Sequence, residues 1–356
     1  MARTAELSLA ALPVLLAPTS PLREDERVAL LHALLIAHAP RLCGAVAPPL
    51  AQRCASALCG WTRAAQLDGP RIRRLIEGGV FEAFSVLARA ALAELRVNPH
   101  SAVPSKVLVN ALHGAGNVAA APAGAAKSQF EAAGLVEVCV MTLRDAHALR
   151  PQVVAAAGRA LGNACIGGAG AAARRSALRA GALERAAGAL RAHLADRAAA
   201  RWTAHALGNL CYEGAPNAAQ AEAAALGASR LVAEGLRAHG GHAGTAGTLL
   251  DSLANLVFRN RHAWERAVEG SAGLLNVAAS LLRQHRAGSL GAPPLIDDGA
   301  GGHAFFSSCL FAVVAFAEFE TRAEAEEAVS LASAHPGWPE LRPWLREAVL
   351  RLTKKS

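Results

Sequence analysis

Apolar side chains recur at spacings of three and four along most of the chain, as at Leu135, Val138, Met141 and Leu143. That spacing is the mark of a helix with one buried face. Longer Ala-rich stretches alternate with such segments, for example residues 151–165, where Pro151 suits the first turn of a helix. Short segments rich in Gly, Ala and Pro, at 167–170 and 214–216, interrupt the pattern and read as turns. The pattern predicts many short helices and no sheet.

The helices come in a repeating order. Ala115-Gly116-Asn117, Leu161-Gly162-Asn163, Leu207-Gly208-Asn209 and Leu253-Ala254-Asn255 share one local pattern, and their asparagines fall 46 residues apart three times running. A second register accompanies the first. Gly134, Gly181, Gly227 and Gly273 follow the asparagines by 17 or 18 residues, and Leu143, Leu190, Leu236 and Leu282 follow those glycines by nine. Earlier in the chain Trp61 takes the Asn position, with Gly78 and then Leu87 behind it, and the longer step to Asn117 predicts a ten-residue insertion around 96–104. Each unit therefore reads as a short first helix ending at the Gly, a second helix, and a longer third helix ending near the Asn. The Gly is expected to permit a sharp bend where a side chain would clash with a neighbouring helix. No such unit can bury its apolar face alone, so neighbours must stack.

The phrase Ala-Gly-Ala-Leu leading to Leu190, followed by Ala206-Leu-Gly-Asn-Leu-Cys211, resembles the armadillo repeat. That resemblance covers roughly residues 40–320 and implies an all-α, right-handed α-solenoid of three-helix repeats. Two features depart from the family pattern. The period is longer than forty-odd residues, and the Trp that importin-α-like repeats place four positions before the Asn is replaced by His113, Arg159, His205 and Asp251. The organisation expected is N-terminal capping helices over 1–40, five to six repeats over 41–320 and a C-terminal helical cap over 321–356. A Gly/Pro/Asp loop carrying Asp297 and Asp298 interrupts the repeats at 286–303. Residues 305–319 read as a further third helix with Ala312 at the Asn position.

Composition agrees with close-packed helices: about a quarter of the residues are Ala, while aromatics make up 4%. No apolar run approaches the ~20 residues of a membrane span. The stretch 7–17 is too interrupted for a signal peptide, with Glu6 and Pro13 in the way. The net charge of +8 comes almost wholly from Arg. No aromatics interleave with the arginines as stacking platforms, which argues against nucleic acid. Seven cysteines without a C-x-x-C pair read as small buried hydrophobes in a reducing compartment, the cytoplasm first and the nucleus second.

No catalytic motif emerges. Gly168-Ala-Gly170-Ala-Ala-Ala173 matches a dinucleotide string, but that motif needs a preceding strand where this sequence predicts helix. His239 and His242 flank a Gly pair and lack a third metal ligand. The chain is expected to be a monomer without enzyme activity, cofactor, metal or small-molecule substrate.

The asparagine ladder is the functional candidate. A carboxamide offers one acceptor and two donors, enough to hold the backbone of an extended peptide. The resemblance places Asn117, Asn163, Asn209 and Asn255 on the concave third-helix face, in that role. The same side chains could instead bond locally and end their helices, and both roles stay open. His113, Arg159, His205 and Asp251 lie one turn earlier on the same face and would make its first part basic. The expected function is a scaffold or adaptor binding another protein, an extended acidic segment included. An armadillo-type regulatory or exchange factor for a small GTPase or another nucleotide-binding protein is the alternative.

Overall fold

The computed structural model describes residues 15–17, 22–42, 48–65, 68–121, 124–212 and 218–268, with helical positions at 278–281, 283, 308–309, 311–313, 315–316, 329–330 and 333. The expected loop at 286–303, Gly273 and most of the expected cap over 321–356 lie outside the described residues. The chain divides into two compact units, Met1–Ala182 and Leu183–Ser356.

In the first unit, α1 (Glu24–Leu42) and α2 (Pro48–Ala65) precede α3 (Gly69–Glu77), α4 (Val80–Val97) and α5 (Ala102–Ala119). Then come α6 (Gly124–Ala132), α7 (Leu135–Arg144), α8 (Pro151–Cys165) and α9 (Ala171–Arg179). From the boundary onward run α10 (Ala182–Ala192), α11 (Arg197–Leu210), α12 (Ala218–Ala225), α13 (Ala228–His239), α14 (Ala243–Val257) and α15 (Arg261–Val268). No strand occurs among the described residues. The expected three-helix repeat forms as α3–α4–α5, α6–α7–α8 and α12–α13–α14. Within the first unit the third helices α5 and α8 pack side by side, with α2 in line before them; within the second, α11 packs on α14.

Small residues set how closely these third helices approach. A Cβ on Gly116 would lie 3.2 Å from the Cα of Ala160 on α8, and one on Gly208 would lie 2.6 Å from the Cα of Ser252 on α14. Both are the glycines of the Leu-Gly-Asn pattern, and in both cases the obstacle is backbone. Larger side chains fill the space between the first and second helices: Phe81 and Phe130 meet edge to face with ring centroids 5.8 Å apart.

The glycine between first and second helices answers to left-handed backbone as well as to the close approach expected, which holds at Gly78, where a Cβ would lie 2.9 Å from the Asp25 carbonyl oxygen on α1, and at Gly134, where it would meet the Arg89 guanidinium. Gly134, Gly181 and Gly227 have φ of +72°, +73° and +73°. Left-handed backbone, which strains residues bearing a Cβ, is what these positions require. At Gly227 a Cβ would meet no atom within 4 Å, so close helix approach is not the constraint there. In the first repeat the left-handed residue is Gly79 (φ +82°), and Gly78, the one expected from sequence, has φ −76°. Gly227→Ala should therefore cost about 1 kcal/mol, through strain rather than overpacking. A denaturation midpoint unchanged from wild type would refute the left-handed assignment.

The extra residues expected around 96–104 lengthen the helices on either side. The helix α4 has 18 residues where α7 has 10, and α5 has 18 where α8 has 15. Val97, at the projecting end of α4, is 84% exposed.

A polar residue seven positions before Gly134, Gly181 and Gly227 closes the end of a third helix. Lys127 donates to the carbonyl of Ile166 at 2.7 Å, and Arg174 to those of Cys165 (2.9 Å) and Gly167 (3.2 Å). Gln220 donates to Asn255 (2.7 Å) and Phe258 (3.3 Å). The last carbonyls of a helix have no partner within it, and these buried side chains supply one.

Candidate partner-binding face

Each third helix turns one stripe outward. On α2 the stripe is Arg53, Ser56, Gly60 and Arg63, all exposed; on α5 it is Lys106, Asn110, His113 and Asn117; on α8 it is Gln152, Arg159 and Asn163. Spacings of three and four keep each set on one face.

Exposure falls along the stripe toward the asparagines. Asn117 is 4% exposed and Asn163 is 7%. Asn117 Nδ2 donates to Thr62 Oγ1 on α2 at 3.4 Å, and its Oδ1 accepts from the guanidinium of Arg159 on α8 at 2.9 Å. Asn163 Nδ2 donates to the carbonyl of Gly116 on α5 at 3.0 Å. These carboxamides tie each third helix to its neighbours. The structure thus brings two of the expected site residues, Asn117 and Arg159, into direct contact. His113 is half-buried on the same stripe. One turn nearer the helix start, Asn110 donates to Ser56 Oγ at 2.9 Å.

In the second unit Asn209 is only partly covered, and its Nδ2 donates back to the carbonyl of His205 at 3.0 Å. That bond is local to one helix, as Asn side chains often make. The His205 ring lies edge-on to Trp202, centroids 5.5 Å apart, and the Arg201 guanidinium sits 4.2 Å from the Trp202 ring. Arg201 also reaches Thr248 Oγ1 on α14 at 3.0 Å. On α14, Asn255 is partly covered, and its backbone carbonyl accepts from Gln220. Asp251 points elsewhere: Ser308 Oγ donates to its Oδ2 at 2.7 Å. Burial of that carboxyl raises its pKa from 3.8 to about 6, against the opposing pull of the Ser308 bond.

Charge is sorted between the helices of the first unit. The sequences of α2, α5 and α8 contain no Asp or Glu. Its acidic side chains lie on α1, on first and second helices, and on the connections. Some of them pair with arginines there, as in Arg89–Glu137 (3.2 Å) and Arg96–Asp145 (3.0 Å). Burial disfavours the Asp145 charge, but hydrogen bonds from Arg144 and Arg96 outweigh it and hold the carboxyl below its ordinary pKa. Arg53, Arg63 and Lys106 form no ion pair among the described residues.

No chemistry gathers at these faces. Burial pushes the thiols of Cys54, Cys165 and Cys211 up to about 12, so they stay protonated. Among the described residues no group of three His, Cys, Asp or Glu side chains is placed to hold a metal ion. Residues 168–170 form one turn of 3₁₀ helix directly after α8, where a dinucleotide fold would need a strand before it. His239 Nε2 lies 2.8 Å from the carbonyl of Leu194.

Sequence reasoning missed several residues on these helices. Thr62, fully buried beside Trp61, is the partner of Asn117, while Trp61 is taken by the Arg27 guanidinium 4.4 Å from its ring. Trp202 places an indole beside His205 although the position four before the Asn is not Trp. Arg53, Arg63 and Lys106 carry no motif, and only the helical spacing from Asn117 and its counterparts could have flagged them.

No family model and no curated protein matches the sequence. Similarity appears among solved structures. One engineered protein matches with TM-score 0.52 at 17% identity, covering 88% of this chain and 98% of its own. A second engineered protein matches with TM-score 0.52 at 18% identity, covering 96% and 82%. A structure from work on a phosphorylation switch in the interaction between cadherin and beta-catenin matches at 14% identity with TM-score 0.49, covering 97% and 66%. No helix among the described residues is long and apolar enough to cross a membrane. The chain has an all-α helical-repeat fold, similar to that of the engineered proteins.

Proposed function

We propose that this chain is a non-enzymatic, armadillo-type scaffold or adaptor that holds a segment of another protein along its third-helix face. The observation that carries the reading is the side-by-side packing of α2, α5 and α8, which sets one partly open stripe per helix in a row. A row of like stripes can hold an extended segment one contact per helix, which suits a chain whose repeats each contribute little area. In this reading Asn117 and Asn163 keep the row rigid. On the first unit's face the partner meets His113 and Arg159; in the second unit Asn209, Asn255 and His205 are the corresponding positions on its own third helices.

Two open glycines make the test clean. A Cβ at Gly60, on the α2 stripe, or at Gly188, on the second helix α10, would meet nothing within 4 Å. Both Gly60→Trp and Gly188→Trp should fold with melting temperatures no lower than wild type. Proteins retained from an extract of the native cell by wild type should be retained by Gly188→Trp and lost from Gly60→Trp. Equal retention by both variants would overturn the proposal.

A further inference from the structure

Resting on that reading, we infer that the third-helix face of the first unit is built for an extended acidic segment of a protein partner. The juxtaposition is specific. Ser56 and Asn110 are hydrogen-bonded across α2 and α5. Arg53 precedes Ser56 by one turn, and Lys106 precedes Asn110 by one turn, so these two exposed cations stand side by side on neighbouring helices. Further along the same stripes, Asn117 bonds Thr62, the chain neighbour of Arg63 on α2, and accepts from the guanidinium of Arg159 on α8. Cations therefore stand on both sides of the neutral Ser56–Asn110 bridge.

Nothing within these three helices offsets that charge, since none carries an Asp or Glu. On the second helices of the unit arginines do meet carboxylates, as at Arg89–Glu137 and Arg96–Asp145. On this face no carboxylate of its own three helices is at hand, so negative charge is left for a partner to supply. Folding gains little from the exposed cations Arg53 and Lys106, whereas a partner with carboxylates gains both attraction and speed of encounter.

The spacing narrows the ligand. Packed helices lie about 8–10 Å apart, and an extended chain advances about 3.3 Å per residue. A segment crossing the row thus brings every third residue over a helix. The fitting sequence carries Asp or Glu at about every third position across roughly six to nine residues. Single-stranded nucleic acid fits less well. Among the described residues of these stripes there is no Phe, Tyr or Trp to offer a stacking surface.

The test uses the full-length chain and a fluorescent twelve-residue Gly/Ser peptide with Glu at every third position. The same peptide with Lys, and an oligouridine of equal length, serve as comparisons. Arg53→Glu/Lys106→Glu should weaken the Glu peptide by at least about tenfold at low salt. Arg175→Glu/Arg179→Glu, an equal charge change at exposed positions on α9, should leave its affinity within twofold. Binding should fall as salt shortens the screening length, and the Lys peptide should not bind. Equal loss in both double variants would reduce the effect to net charge and overturn the proposal. So would oligouridine binding tighter than the peptide with the same loss in the α2/α5 variant. If Gly60→Trp abolishes capture of the native partner while Arg53→Glu/Lys106→Glu does not, the acidic ligand fails and the scaffold reading stands.

Discussion

Gly208→Val should unfold the second unit far more easily than wild type, at a cost of about 3 kcal/mol. Valine brings a Cβ to a point 2.6 Å from the Cα of Ser252, 3.0 Å from its Cβ and 3.3 Å from its carbonyl oxygen. A flexible side chain could swing aside; the backbone of α14 cannot. Relief requires the two third helices to separate, in a core where Ala204, Leu207 and Ala254 are fully buried. Helix propensity works the other way but is weaker, since replacing a mid-helix Gly gains at most about 1 kcal/mol. Gly188 provides the contrast: in the same unit, helical, and with nothing within 4 Å of a Cβ, so Gly188→Ala should raise stability by about 0.5–1 kcal/mol. Urea midpoints measured together decide the matter. If Gly208→Val unfolds at the wild-type concentration, the helices do not approach as closely as the structure has them.

How much of this was legible in the sequence depended on how far apart the interacting residues lie. The order of three helices per repeat shows in the 46-residue register of Asn163, Asn209 and Asn255, because helical periodicity is local and repetition amplifies it. The need for glycine at 134, 181 and 227 was visible as well, but only part of its cause was. Left-handed φ and close approach leave the same letter in a sequence, and the open space around Gly227 shows φ acting alone where Gly134 also faces Arg89. The Gly of Leu-Gly-Asn carries a close approach too. The candidate face was less legible still. Arg159 meets Asn117 and Asn163 meets Gly116 across 42 and 47 residues, and such pairs depend on helix register that spacing alone leaves undetermined. Lys106 and Arg53 belong to no motif; they matter only because α2 and α5 are neighbours and neither carries an acid.

The second large effect is a pH dependence centred on Asp251. Its carboxyl is buried, and burial raises its pKa from 3.8 to about 6 although Ser308 donates to it. In the unfolded chain the same carboxyl ionises near its ordinary value. Below about pH 4 it is neutral in both states and has no effect on stability. Between about pH 4 and 6 the unfolded chain releases the proton more readily than the folded one, so folding weakens as pH rises. Above about pH 6 the whole difference, about 3 kcal/mol, stands against the folded state. Asn at this position keeps an oxygen for the Ser308 hydroxyl and never ionises. Asp251→Asn should therefore match wild type near pH 4 and be more stable by as much as about 3 kcal/mol at pH 7. Carboxylates of opposite behaviour, such as Asp145, are common to both proteins and cancel in the comparison. Denaturation midpoints of the two chains between pH 4 and 8 test this directly. Curves that run parallel across that range would mean the Asp251 carboxyl meets solvent in the folded protein, and the contact with Ser308 would fall with it.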